Sequence, residues 1–339
     1  MQQLQPFINK SFFYMNRLYP NCIPVIGSKN IIFHDMERQA FKRFPKTDFF
    51  DNTIALKIFD IDEVNGKGLE ILNAHQFLMT SEESEDTQLR TTAFYKWKHP
   101  SKITNAIIEL SSGNELICPF AFSKLMQHLD ILLCKHVVLK IKSFISCNRL
   151  KEIMDVVHMS EIHSFQLVVP YELEYDTDDL GTFIMQQPKL KYMLFENAPD
   201  EKNLENKIFF VKAVLKPGNK KHPHQFHTNV FLFAEAQYHH AYFNRKLFIG
   251  EKGEIKNAPE CEEIHGWIQT ISESHQLELL IKTPAFQKLW FVNKERCEVC
   301  RDCEYRYMCL DNRVPYQRAD GYWYHEKACN YDPYEGKWS

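Results

Sequence analysis

The 339-residue chain has only 11 glycines, and none is grouped into a phosphate-cradling loop; G-x-S-x-G and H-E-x-x-H are missing as well. These absences leave no nucleotide loop, serine-hydrolase elbow or helical zinc-protease motif to read. No apolar run approaches the ~18 residues that a bilayer span needs. The first residues, MQQLQPFINKSFFYMNRL, hold no uninterrupted apolar stretch ahead of a small-residue cleavage site, so a soluble, cytoplasmic protein is expected. A net charge of −3 gives no signal for nucleic acid. What the chain does have is aromatic residues, 14% of the total, at a length that accommodates two or three compact domains.

Five of its ten cysteines fall in the last 43 residues. Cys297, Cys300, Cys303 and Cys309 run as C-x2-C-x2-C-x5-C, and Cys329 follows after a gap of 19 residues. A C-x2-C turn points two thiolates to the same side, and a distant cysteine can close the shell. Thiolate sets select zinc or iron–sulfur, and cysteines this dense fit a cluster loop better than two separated zinc knuckles. Zinc remains the alternative. Disulfides are a weak third reading without a secretory signal.

Cys300, Cys303, Cys309 and Cys329 resemble the C-x2-C-x5-C and terminal cysteine of the SPASM domain, a C-terminal module of many radical-SAM peptide-modifying enzymes. The pieces CIPVIGSKNIIFHDMER, YFNRKLFIGEKGEIKNAPE and the tail from CEVCRDCEYRYMCLDNR to CNYDPYEGKW are similar to the grasp-with-spasm system SPASM-domain peptide maturases. The resemblance implies that these four cysteines bind one auxiliary 4Fe-4S cluster. It also implies that a second cluster is lost, because Arg313 and Ala258 stand where two of its cysteines would be. Partners implied are a precursor (leader) peptide and an ATP-grasp ligase. The radical-SAM C-x3-C-x2-C motif is absent: the corresponding loop, SSGNELICPF, offers Cys118 alone, which reads as a small hydrophobe. Radical-SAM catalysis is therefore not expected.

In chain order, the fold class expected is α/β in three parts. Residues 1–95 read as three strands, YPNCIPVIG, IIFHD and AFKRF, followed by the helix-compatible TIALKIFDIDEV and GKGLEILNA. This order resembles the winged-helix-like domain that recognises precursors in peptide-maturation systems. There a leader peptide would add as a strand beside Gln39, Ala40, Phe41, Lys42, Arg43 and Phe44, flanked by Leu69 and Leu72 on the helix; an ordinary β-rich cap without ligand is the alternative. The acidic run SEESEDTQL (81–89) reads as a solvated boundary. Residues 96–235 alternate strand and helix, which implies a parallel sheet too short for a closed barrel, similar to a shortened, degenerate radical-SAM partial β/α barrel. Residues 236–339 form the SPASM-like part, with a hairpin turning near Lys252 and Gly253. The histidines of KPGNKKHPHQFH, with His239 and His240, read as non-ligands, and Cys261 as structural. The function expected is an accessory protein that binds the precursor and presents it to the ligase. The alternatives are a maturase that uses its cluster for electron transfer without radical-SAM chemistry, or a zinc-stabilised binding protein.

Overall fold

The computed structural model describes residues 17–51, 58–79, 99–111, 113–172, 177–212 and 223–339. The first three strands, β1 (Cys22–Ile26), β2 (Asn30–Asp35) and β3 (Ala40–Pro45), form an antiparallel sheet in that order. Asn30 to His34 of β2 are all buried, because the sheet is covered on both faces. Ile31 and Phe33 pack with Phe49, Leu72 and Phe77, whereas Ile32 packs with Phe226, Tyr305 and Met308. A strand covered on both sides reads as a continuous apolar run instead of an alternation. α1 (Gly66–Ala74) starts at Asn65, whose side chain accepts the Gly68 N–H at 2.9 Å.

The helix expected over TIALKIFDIDEV is not found in its described part, which holds a single 3-10 turn at Ile61–Glu63. The Asp60 side chain accepts the Asp62 N–H at 3.0 Å, a local bond that competes with helical pairing. Residues 53–57 of that stretch lie outside the described residues, as do the acidic run 81–89, the 95/96 boundary and residues 216–222 of the histidine loop.

The centre of the chain runs β4 (Asn105–Leu110), α2 (Pro119–Ile131), β5 (His136–Ile141), α3 (Cys147–Met159), β6 (Ser164–Pro170), α4 (Thr177–Met185), β7 (Leu190–Glu196), β8 (Lys202–Leu204) and β9 (Ile208–Phe210). After α5 (Val230–Tyr238) come β10 (Lys246–Ile249), β11 (Glu254–Lys256), β12 (Gly266–Trp267) and α6 (Ser274–Ile281). These strands make one nine-stranded sheet in the order β12-β11-β10-β4-β5-β6-β7-β9-β8. Neighbours from β10 to β9 are parallel, and β12, β11 and β8 are antiparallel additions at the edges. The hairpin expected in the C-terminal part thus belongs to this sheet: Lys246 pairs beside Asn105 and Ile249 beside Ile108. Alternate residues of β4 and β5 are buried against the apolar faces of α2, α3 and α6. The opposite residues are half-buried and polar in part, with Glu109 3.2 Å from Lys142. The chain is therefore mixed α/β, with a large mixed sheet and six α-helices among the described residues. No helix among those residues is long and apolar enough to cross a membrane.

Two of the buried histidines, His34 and His240, have pKa values pushed far down by burial. His34 sits with Nδ1 3.2 Å from Thr228 Oγ1 and no partner for Nε2, and burial lowers its pKa to about 3. His240, just beyond α5, is fully buried and accepts the Tyr242 N–H on Nδ1; burial drives its pKa well below the usual value. Unfolding lets each ring take up a proton near pH 6.5, so their stability contribution is complete above that pH and falls as the solution is acidified. Urea unfolding at pH 7.5 and pH 5.5 should differ by about 3 kcal/mol from these two residues. A flat profile across that range would mean that the rings reach solvent.

Candidate metal centre

The tail has little regular structure: hairpins β13 (Tyr316–Gln317) with β14 (Trp323–Tyr324) and β15 (Tyr331–Asp332) with β16 (Lys337–Trp338). Its shape comes from tight turns. Cys303 N–H bonds to Cys300 O at 3.1 Å, and Arg306 N–H to Cys303 O at 3.3 Å. Val299, between the first two cysteines, has φ +63°, a conformation that β-branched residues rarely tolerate and that clusters at functional sites.

These turns bring Cys300, Cys303, Cys309 and Cys329 to the wall of one recess that is otherwise nearly apolar. Cys297 is not part of that wall. It is fully buried between Val292 and Trp323, with its thiol 3.7 Å from Asn293 O. Burial pushes the Cys297 thiol up to about 12 and raises Cys303 well above the ordinary value; Cys300 is raised for the same reason, against the pull of Lys294. Without a cation these sulfurs stay protonated, and a bound metal would displace those protons.

Among the described residues, the group of three or more metal-ligating side chains whose ligand atoms lie within 4.8 Å of one another is Cys300, Asp311 and His325, not a set of the cysteines. The Cys300–Asp311–His325 group is itself a poor cation site. The Asp311 carboxylate already accepts from Lys294 Nζ at 2.7 Å and Arg313 Nη2 at 2.7 Å, with the Lys294 ammonium 3.4 Å from His325 Nε2. An ion there would face two cations.

That buried network borders the recess. Burial opposes the Lys294 charge, but Asp311 and the nearby sulfurs outweigh it and raise its pKa. Burial likewise opposes the Asp311 charge, yet Lys294 and Arg313 carry its pKa well below the carboxylate range. Arg313 Nη2 reaches Cys300 Sγ at 4.0 Å, and the Tyr331 N–H points to Cys329 Sγ at 3.4 Å. Both contacts favour negative sulfur.

An aromatic roof closes the recess. Phe226 stacks on Tyr305 at 4.7 Å, Tyr331 lies 4.6 Å from Trp338, and Phe41 of β3 meets Tyr305 at 6.3 Å. Arg43 donates to Tyr331 Oη at 3.3 Å and to Gly336 O at 3.4 Å. The fully buried Glu304 accepts from Asn30 Nδ2 at 3.0 Å and from the Tyr331 hydroxyl. Gly27 must be glycine here, since a Cβ would lie 2.8 Å from the Glu304 backbone nitrogen.

The expected peptide-binding residues divide. Among the described residues β3 has one strand neighbour, β2, with Ala40 and Lys42 exposed and Gln39 at φ +52° entering the strand. Phe41 and Arg43 face the cysteine tail, while Phe44 packs on Phe33, Phe49 and His75. Leu69 is half-buried. Leu72 is a correction: it is fully buried in the core beneath the sheet and presents nothing to a ligand. Phe226, within the histidine stretch 216–227, is a buried roof residue. Cys118 is exposed, not a buried hydrophobe, and Cys261 is buried beside Phe243 and Ala258. Lys294, Asp311 and Glu304 were not legible, since nothing in their local sequence distinguishes a buried charge from a surface one. No protein-family model, curated protein or solved structure matches the chain.

Proposed function

We propose that the chain is an accessory protein of peptide maturation, which binds a precursor peptide along β3 and presents it to an ATP-grasp ligase. The observation that carries this reading is the double position of β3: an unpaired sheet edge among the described residues, and a backing for the cysteine recess, whose lining residues Tyr305 and Tyr331 meet Phe41 and Arg43. An edge strand offers main-chain donors and acceptors to an added strand. In the same reading Cys300, Cys303, Cys309 and Cys329 hold one 4Fe-4S cluster, which with four protein thiolates supplies electron transfer or structural support and no open iron for a substrate. A single cluster accords with Ala258, which is packed in an apolar cluster, and with Arg313, which is bound to Asp311 and Lys327 O. The finer architecture belongs to the proposal too: a winged-helix-like recognition part, a degenerate partial β/α barrel and a SPASM-like tail, in the cytoplasm, where thiols stay reduced.

Hydrogen exchange with and without a candidate precursor peptide tests it. Amides of residues 39–44 should gain protection when the peptide is present. Protection confined to β1, or none in β3, would defeat strand addition, and failure to bind peptide and ligase alike would defeat the accessory role.

A further inference from the structure

The recess has a neighbour. A cleft of about 310 Å³ opens among the cysteine turn, the β13–β14 hairpin and the segment that leads into β15. Val299, Cys300, Arg313, Cys329, Tyr331 and Pro333 line both hollows, so the two share a wall. Cys303 and Cys309 line the recess but not the cleft, and so do the rings of Phe226, Tyr305 and Trp338. On the cleft side the residues just before Cys329, Lys327 and Ala328, are exposed. Two of the four thiols therefore border both hollows, and the other two face the roofed one.

The shared wall is strained. Val299 has φ +63° and ψ −50°, and the Cys300 N–H bonds to Glu298 O at 2.6 Å; together these make a γ-turn of positive φ, a rare and strained form. Val299 is 45% exposed, so packing does little to hold a β-branched residue there. The hold comes from the hairpin instead. The Glu298 N–H bonds to Trp323 O at 2.8 Å, its carboxylate meets Arg318 Nη2 at 3.0 Å, and the Arg318 guanidinium lies 5.0 Å from the Tyr324 ring. Glu298, Arg318 and Tyr324 all line the cleft. Backbone strain of this kind persists only where neighbours over-determine it, and it gathers at segments that move.

We propose that this cleft is the port of the metal site: Cys300 and Cys329 take a thiophilic metal ion, zinc or iron, from solvent, and the strained turn at Val299 yields to pass it to Cys303 and Cys309. The thiol protons leave to water as the thiolates bind. The Glu298–Arg318 pair is the strap that keeps the turn closed. This inference rests on the reading that the four cysteines hold metal, and it stands whether or not β3 takes up a peptide.

The test uses the full chain, reduced and metal-free, with short pulses of iodoacetamide, a small neutral reagent, and mass mapping of each cysteine; the exposed Cys118 is the internal standard. Cys300 and Cys329 should be alkylated about tenfold faster than Cys303 and Cys309. Ala328→Phe, which fills the cleft from an exposed position, should slow Cys300 and Cys329 about threefold relative to Cys118, and Arg318→Gln, which cuts the strap, should speed Cys300 by about the same factor. Loss of a cation alone would make the thiols less acidic and slow them, so the sign separates access from charge. Release of zinc from the loaded chain to a coloured chelator should be slower in the first variant and faster in the second. If one variant misfolds, the other still decides. Cys303 or Cys309 reacting first, or rates in the variants equal to those of the parent, would overturn the port while the metal content stood. A chain that takes up neither zinc nor iron would overturn the port and the metal reading together.

Discussion

Serine at any one of Cys300, Cys303, Cys309 or Cys329 should strip most of the metal from protein purified without oxygen, whereas Cys297→Ser should leave it nearly intact. The first four thiols share the recess wall, and Cys297 is enclosed by Val292 and Trp323 outside it. Serine keeps the volume and removes the soft thiolate that iron and zinc require. Iron, sulfide and zinc content with the visible spectrum reads the result. About four irons with broad absorption near 400 nm fit the cluster, and about one zinc without colour fits the alternative. Loss of metal from Cys297→Ser with retention in Cys300→Ser would shift the ligand set by one cysteine. Because burial holds the Cys300 and Cys303 thiols in the protonated form, loading should release protons and weaken as the pH falls.

Asp311→Ala should be the most destabilising single change near the site, at about 3–5 kcal/mol in urea unfolding. The carboxylate is the shared partner of Lys294 and Arg313, and the side chains of Lys294 and Asp311 are each 2% exposed. Its removal leaves two cations buried without compensation, which costs far more than the pair itself contributes. The sign of the cost can be separated from its size: Asp311→Leu combined with Lys294→Met should recover part of the loss, because no lysine charge then remains to solvate. A loss under about 1 kcal/mol for Asp311→Ala would show that water reaches Lys294. The depressed Asp311 pKa also means that its contribution is present above the unfolded carboxylate range and disappears only as the pH falls through the folded value.

The parts of the fold that were readable are those where local pattern and burial agree. β4, α2, β5, α3 and β6 follow the strand–helix alternation expected of residues 96–235 because one side of each element faces a single core, and that leaves a period in the sequence. The spacing of Cys300, Cys303, Cys309 and Cys329 marked the recess before its walls were known. What escaped was non-local. β2 has no period because two different layers cover it. Phe226 belongs to the roof through a contact with Tyr305, 79 positions later, and no window of neighbouring residues carries that information. Leu72 looked like a ligand-facing residue since helical spacing tells that a face exists but not which side of the sheet it meets.

The roof and the thiolates come from distant parts of the chain. Asn30 bonds to Glu304 across 274 positions and to Tyr331 across 301, and the Ser28 N–H reaches Asp302 O at 2.7 Å. During synthesis at ~5–20 residues per second, β1 to β3 wait roughly 10–50 seconds for those partners. Until then Ile32 and Phe41 have only solvent or a chaperone against them, and the closure of so long a loop places this contact among the late and slow steps of folding. A fragment that carries all four recess cysteines without the first sheet would leave Tyr305, Tyr331 and the buried Glu304 without Phe41, Arg43 and Asn30 behind them. The cysteine tail thus lines its own recess but leans on a sheet that is translated first.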